Sequence, residues 1–110
     1  MEYFVLGERE IVLGFKLAGV DGKEINNREE ALETFNALTG NSTDRILMVQ
    51  EIPKILILTE DVSDMLSQEV LAWQLKGKAP LIVEIPGLGG HIPGRKTLTD
   101  SIREAVGIQM

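Results

Sequence analysis

The chain has 110 residues, 44% of them apolar and 25% charged, which suits one globular domain and argues against both two domains and wholesale disorder. Eleven basic against seventeen acidic residues give a net charge of −6, whereas a nucleic-acid binder needs a basic surface. The absence of cysteine excludes a disulfide framework and a thiol nucleophile, and a single histidine, His91, excludes a centre with several histidine ligands. We therefore expect no cofactor, no metal and no nucleic-acid partner.

The longest apolar runs, residues 55–58 and 81–83, are far shorter than the ~20 residues that span a bilayer. Residues 1–4 show no basic region before an apolar core, so no secretory signal is predicted. We expect a soluble, cytoplasmic chain that does not insert into a membrane.

The first segment predicts a strand followed by a helix. Residues 3–6 form a short apolar run that ends at Gly7, and residues 8–17 carry apolar side chains at helical spacing. Gly14 within that helix costs about 1 kcal/mol relative to Ala, which we interpret as the sign of a close helix–sheet approach. Residues 23–25 predict a short edge strand.

The middle of the chain begins with a strong helix signal. Asn27 is a good N-cap, Glu30 completes a capping box, and Gly40 ends the helix as a left-handed cap. Residues 40–53 are the least legible stretch, and residues 46–49 within it fit either an extra strand or a helical turn.

The next segment predicts the central strand and a longer helix. The continuous apolar run at residues 55–58 is typical of a strand covered on both faces. Asp61 follows as the expected cap of a helix of about four turns, whose stripe includes Met65 and Trp73 and whose end is Gly77. Pro80 begins a last strand at Leu81–Ile85.

Residues 86–95 contain four glycines and two prolines and therefore predict a flexible tether. A short helix at residues 101–106 follows, with an apolar face of Ile102, Ala105 and Val106 and with Ile108 just beyond it. Burial of this face yields about 4–8 kcal/mol at most, at about 1.5–3 kcal/mol for each large side chain. Two interpretations stay open: permanent packing on its own domain, or reversible docking on a partner.

Alternating strands and helices imply parallel strands joined by right-handed connections. The predicted fold is a small doubly wound α/β domain, Rossmann-like or receiver-like, with a four-stranded parallel sheet at residues 1–86. The tether and the C-terminal helix occupy residues 87–110.

Two kinds of site fit this fold poorly. A phosphate-binding loop at residues 89–97 is disfavoured because Arg95 separates Gly94 from Lys96 and Pro93 removes an amide donor. Magnesium-dependent receiver chemistry needs an acidic pair after the first strand, a free Asp61 and a lysine after a later strand. Arg9 interrupts the acids, Asp61 is expected to cap a helix, and no suitable lysine follows Ile85.

A second class of function is nevertheless kept as the alternative, a stand-alone receiver-like signalling or small-ligand-binding domain. It would use Asp61 as phosphoacceptor, or Glu84 as the lining of a ligand crevice at the sheet edge. The simpler expectation is that Glu84 is an exposed edge residue and that His91 is a solvated loop side chain.

Four stretches together resemble the F subunit of the V-type, or A-type, rotary ATPases of bacteria and archaea. They lie in the family's order and cover nearly the whole chain: Gly7-Glu-Arg-Glu-Ile-Val-Leu-Gly-Phe-Lys-Leu-Ala-Gly-Val20, Ile55-Leu-Ile-Leu-Thr-Glu-Asp61, Pro80-Leu-Ile-Val-Glu-Ile-Pro-Gly87 and Asp100-Ser-Ile-Arg-Glu-Ala-Val-Gly-Ile108.

The resemblance implies a non-catalytic component of the central rotor stalk, bound to the D subunit that forms the axle, in a proton- or sodium-translocating complex. It implies a C-terminal segment that extends or retracts towards the catalytic hexamer of A and B subunits and helps to couple and regulate ATP hydrolysis or synthesis. The partner contacts carried over by the motif are Ile102, Arg103, Ala105, Val106 and Ile108, with Arg103 as the polar contact. The location implied is peripheral to the membrane.

Overall fold

The computed structural model describes residues 2–40 and 52–94. Its elements, in chain order, are β1 (Tyr3–Gly7), α1 (Arg9–Leu17), β2 (Asp21–Glu24), α2 (Arg28–Leu38), β3 (Ile55–Thr59), α3 (Glu60–Met65), α4 (Ser67–Lys76) and β4 (Leu81–Ile85). The uncertain stretch at residues 46–49 and the predicted helix at residues 101–106 lie outside the described residues.

The four strands form one sheet in the order β2-β1-β3-β4, and every neighbouring pair is parallel. The predicted fold class, a four-stranded parallel α/β domain, is confirmed. β3 lies between β1 and β4, and its Leu56 and Leu58 are fully buried. The prediction that β3 is covered on both faces holds only in part, because Ile55 and Ile57 on its other side are half-buried. The chain changes direction across the sheet between β1 and β3.

Local signals place the ends of α2 as predicted. The Asn27 side chain accepts a hydrogen bond from the Glu30 amide at 2.9 Å. The Glu30 carboxylate reaches back one residue further than a standard capping box, to the Asn26 amide at 3.2 Å. Gly40 has the left-handed φ of 78°, which a residue without Cβ adopts at little cost.

Two predictions about the next helix are wrong. Its N-cap is Thr59, whose hydroxyl accepts from the Val62 amide at 3.4 Å, and Asp61 lies inside the first turn. The single long helix is instead two, because the backbone at Leu66 leaves the helical region between α3 and α4. The apolar spacing runs through this break without interruption, as Leu66 and Val70 are both buried. Gly77, with φ 68°, does end α4 as predicted.

One face of the sheet carries the main core. Alternate strand residues point to one side, and helices α2, α3 and α4 pack there. Trp73 of α4 is buried on this side, and its indole Nε1 donates to the Pro80 carbonyl at 3.0 Å, which ties α4 to the start of β4. The buried members of this core are Leu6, Ile25, Ala31, Phe35, Leu38, Leu56, Leu58, Val62, Leu66, Val70, Trp73 and Ile82. We call this side the covered face.

The opposite side has α1 over β1 and β2, where Val5 and Val12 are buried. A Cβ on Gly22 would overlap Val5 and lie 3.2 Å from the Val12 side chain, so β2 and α1 approach closely at this glycine. The close approach predicted at Gly14 is wrong, because a Cβ there would meet nothing within 4 Å.

Candidate functional site

Three strand ends meet at the carboxyl edge of the sheet. Glu8 directly follows β1, while Glu60 and Asp61 directly follow β3, on either side of the point where the chain changes direction. The loop after β4 begins beside them at Gly87. In open parallel sheets, ligands usually bind in the crevice at this edge. The protein groups that fill the crevice therefore determine whether the domain can bind a ligand there.

Glu60 holds the far end of that loop. Its side chain is buried, and one carboxylate oxygen accepts from the Ile92 amide at 2.9 Å. The other carboxylate oxygen lies 2.8 Å from Nδ1 of His91. The imidazole is 76% exposed, in agreement with the expectation of a solvated loop side chain, and it is in addition paired with Glu60. A carboxylate buried with both oxygens engaged is a structural anchor.

Glu8 holds the near end of the same loop. Its Oε2 accepts from the Leu88 amide at 2.8 Å. A Cβ built on Gly87 would lie 2.6 Å from Glu8 Oε1 and 3.0 Å from Asp61 Oδ2, so only glycine fits here without a shift of these side chains. We call the two anchoring acids and the backbone of residues 87–92 the loop clasp. It contradicts the prediction that this stretch is a flexible tether from its first residue.

The carboxyls of Asp61 and Glu8 interact in the clasp. Partial desolvation raises the pKa of Asp61, although the residue is largely exposed, and the charge of Glu8 and a hydrogen bond to it raise that pKa further. Glu8 Oε1 is buried and, within the described residues, receives no hydrogen bond from a standard donor. A proton on Asp61 would supply one, which is the physical reason for the direction of the shift.

Glu84 also differs from expectation. It is half-buried on β4, opposite Leu58 in the register, and the Ser63 hydroxyl of α3 donates a hydrogen bond to its carboxylate. The bond links α3 to β4. Glu84 is therefore neither an exposed edge residue nor a free crevice lining.

The loop clasp is suited to holding the backbone of residues 87–92 and not to catalysing a reaction. Across residues 2–40 and 52–94, no three His, Cys, Asp or Glu side chains are grouped so that they could hold a metal ion. The acids at the crevice are engaged by amides of the chain itself, and Asp61 lies within a helix turn. What the arrangement can do is fix the path by which the chain leaves β4.

The predicted contact residues, Ile102, Arg103, Ala105, Val106 and Ile108, lie outside the described residues, and the geometry does not test them. Reasoning from the sequence missed the anchoring roles of Glu8 and Glu60. The available signal was an acid directly after each of the two central strands, together with a glycine-rich segment able to bring its amides close.

A family model described as ATP synthase (F/14-kDa) subunit matches residues 4–106. The chain belongs to this family. Its members are components of ATP synthase without a catalytic site of their own, so the predictions of family and of a non-enzyme are confirmed.

Curated relatives match over nearly their full length. The F subunit of the A-type ATP synthase of Methanocaldococcus jannaschii is 32% identical over 111 residues, covering 100% of this chain and 99% of the relative. The F subunit of Pyrococcus furiosus is 30% identical over 112 residues, with coverages of 100% and 98%. That of Methanothermobacter thermautotrophicus is 31% identical over 109 residues, with coverages of 96% and 92%. In the described part of the chain, every helix is too short or too polar to cross a membrane.

Proposed function

We propose that this chain is the rotor-stalk F subunit of an A-type ATP synthase, bound to the D subunit of the axle and peripheral to the membrane. The observation that carries the proposal is the full-length match to proteins of that name, with 100% of this chain and 99% of the Methanocaldococcus jannaschii relative covered. A compact α/β body whose crevice acids are engaged by its own loop fits a component that binds proteins rather than substrates.

The second part of the proposal concerns the division of labour along the chain. Residues 1–86 form the body, and residues 87–110 form the regulatory segment that reaches towards the A/B hexamer. The loop clasp supports a defined point of departure, because Glu8 and Glu60 hold residues 88 and 92 against the body. The contacts proposed for the segment are Ile102, Ala105, Val106 and Ile108 as the apolar face and Arg103 as the polar partner.

Binding to the axle is tested by co-expression with the cognate D subunit and gel filtration. We expect one peak that contains both chains in equal amounts. Separate peaks, with this chain shown to be folded by circular dichroism, would overturn the axle proposal. The chain alone, run at the same concentration, is the reference for its elution volume.

The regulatory part is tested in the assembled complex. Ile102→Asp combined with Val106→Asp should change the ATPase rate, because charges on the proposed apolar face prevent its burial. Glu104→Gln changes one charge on the opposite side of the proposed helix and should leave the rate unchanged. If the double variant assembles normally and hydrolyses ATP at the wild-type rate, the regulatory role fails and the structural role stands.

A further inference from the structure

The loop of the loop clasp is attached to the body through carboxylates. In the described part of the chain, three hydrogen bonds lead from residues 87–92 to the body. The Leu88 amide donates to Glu8, whereas the Ile92 amide and Nδ1 of His91 pair with the two oxygens of Glu60. All three bonds involve a carboxylate oxygen, so the strength of the attachment depends on charge.

The far end of the loop clasp joins a buried charge to an exposed base. The Glu60 side chain is 7% exposed, and a buried carboxylate is unfavourable unless it is paired. Its Oε2 lies 2.8 Å from Nδ1 of His91, and the imidazole itself is open to water. The ring can therefore exchange its proton with solvent while it stays in contact with Glu60.

The state of the imidazole changes the strength of this contact. A neutral imidazole donates from Nδ1 in one of its two tautomers, whereas an imidazolium donates from both nitrogens. The hydrogen bond of an imidazolium to a carboxylate is also roughly twice as strong as a bond between neutral groups. Because histidine ordinarily gains and loses its proton between about pH 5 and 8, the change falls near neutrality.

The other charged groups that face this edge in the described chain favour the protonated ring. They are acids: Glu8 at the start of α1, and Asp61 and Asp64 of α3. Partial desolvation, the charge of Glu8, a hydrogen bond to it, and the charges of Asp64 and Glu60 all raise the pKa of Asp61. Negative charge therefore accumulates here, and a positive imidazolium beside Glu60 reduces the repulsion.

We propose that His91 is a pH-sensitive switch on the far end of the loop clasp. With a proton on its imidazole, it holds residues 91 and 92 against Glu60, and loss of that proton loosens them. The point at which the chain leaves the body then moves from Ile92 back to Leu88, which Glu8 holds. Residues 89–92 add up to about 13 Å of extended chain at ~3.3 Å per residue.

The switch is a property of this chain by itself. Its consequence for the proposed regulatory segment, a longer reach when His91 is neutral, rests on the proposed function. The contact of His91 with Glu60 does not, because both residues belong to the described body and loop.

Amide hydrogen exchange on the full chain tests the switch. The measured quantity is the protection factor of the Ile92 amide, which is the exchange rate of an unstructured chain divided by the observed rate at the same pH. From about pH 5.5 to about pH 8 it should fall at least about threefold, because the bond to Glu60 loses its charge assistance. A protection factor that does not fall would overturn the proposal.

His91→Gln separates the imidazole from other titrating groups. Glutamine keeps an N–H donor at this exposed position and does not titrate, so the protection of Ile92 should be the same at both pH values. Any pH dependence that Asp61 gives the Leu88 amide through Glu8 should persist in this variant. A fall at Ile92 as large as that of the wild type would overturn the switch.

Glu60→Gln tests the other partner of the pair. It keeps an acceptor for the Ile92 amide and removes the charge that pairs with the imidazolium, so the fall at Ile92 should again disappear. Lys78→Gln removes an exposed positive charge elsewhere and should keep the wild-type fall. A fall that persists in Glu60→Gln, or one that is lost in Lys78→Gln, would overturn the switch.

The switch and the proposed function fail separately. Exchange is measured on the isolated chain, whereas axle binding is measured by co-elution with the D subunit. Constant protection of Ile92 together with co-elution would overturn the switch and leave the rotor-stalk role standing. Separate peaks together with the expected fall would support the switch and overturn the axle proposal.

Discussion

The two faces of one sheet are built from the same strands and have different roles. On β4, Ile82 is 5% exposed on the covered face, and its neighbour Val83 is 44% exposed on the opposite side. The apolar side chains next to one another there form the open sheet face, which consists of Tyr3, Ile55, Ile57, Leu81 and Val83. On the central strands, Leu56 and Leu58 are fully buried, whereas Ile55 and Ile57 are only half-buried. The difference shows that three helices packed on one side suffice to form a continuous core, while the other side of β3 and β4 keeps apolar side chains in contact with water.

Adjacent residues on β4 give the sharpest comparison of the two faces. Ile82→Lys should lower the free energy of unfolding by about 3–5 kcal/mol, because an unpaired charge enters the core. Val83→Lys should lower it by less than about 1 kcal/mol, because the ammonium group remains in water. Urea denaturation measures both, and a similar loss for the two variants would show that the open sheet face is sealed by stable packing.

A matched pair of leucines tests the same contrast without charge. Leu58→Ala should cost about 2–5 kcal/mol, as expected for a fully buried leucine that leaves a cavity. Leu81→Ala, at 53% exposure, should cost less than about 1 kcal/mol. Thermal unfolding of the two variants checks the order, which reverses only if the main core lies on the other side of the sheet.

The loop clasp lies at the edge where the two faces meet. Glu60→Ala should cost about 1–3 kcal/mol, because it leaves the Ile92 amide without its acceptor. Amide hydrogen exchange should quicken at Ile92 and remain slow at Leu88, which Glu8 holds. Glu10→Ala removes an exposed acid from α1 and serves as the control. If the Ile92 amide exchanged at the same rate in both variants, the loop clasp would not restrain the loop.

The smallest effect concerns the pH dependence of Asp61. Its pKa in the folded chain is raised above 3.8, so the folded state binds a proton more tightly than the unfolded state does. The free energy of unfolding therefore falls as the pH rises from about 3.8 through the folded-state pKa, and it stays lower above that range.

Asp61→Asn should consequently stabilise the chain at pH 7, by less than about 1 kcal/mol because the carboxyl is exposed to solvent. The gain should vanish below pH ~4. Urea denaturation over this pH range measures it, with Glu33→Gln as an exposed control. If the free energy of unfolding increased by the same amount at every pH, the charge of Asp61 would not be the cause.

Local patterns were enough for most elements of the fold. Asn27 with Glu30, Gly40 and Gly77 signal helix ends through contacts within a few residues, and the apolar run at residues 55–58 predicted a central strand. Parallel order followed from the alternation of strands and helices. These features depend on the spacing of residue types along the chain, which can be read directly from the sequence.

Features that join distant residues could not be read in this way. The hydrogen bond of Glu60 to Ile92 spans 32 residues, and that of Glu8 to Leu88 spans 80. The residues next to each acid in the sequence do not distinguish it from an acid that is exposed to water. The break at Leu66 was hidden because the apolar spacing continues through it.

Gly14 and Gly22 show the same division between local and distant causes. Both are glycines in regular elements, yet of the two a Cβ would clash only at Gly22, because that is where α1 and β2 are brought together. The order of residues therefore settles which segments form helices and strands, since hydrogen bonding and apolar spacing are local. Which acids become anchors and which apolar face stays bare depends on how those segments pack, because burial is a property of the assembled sheet.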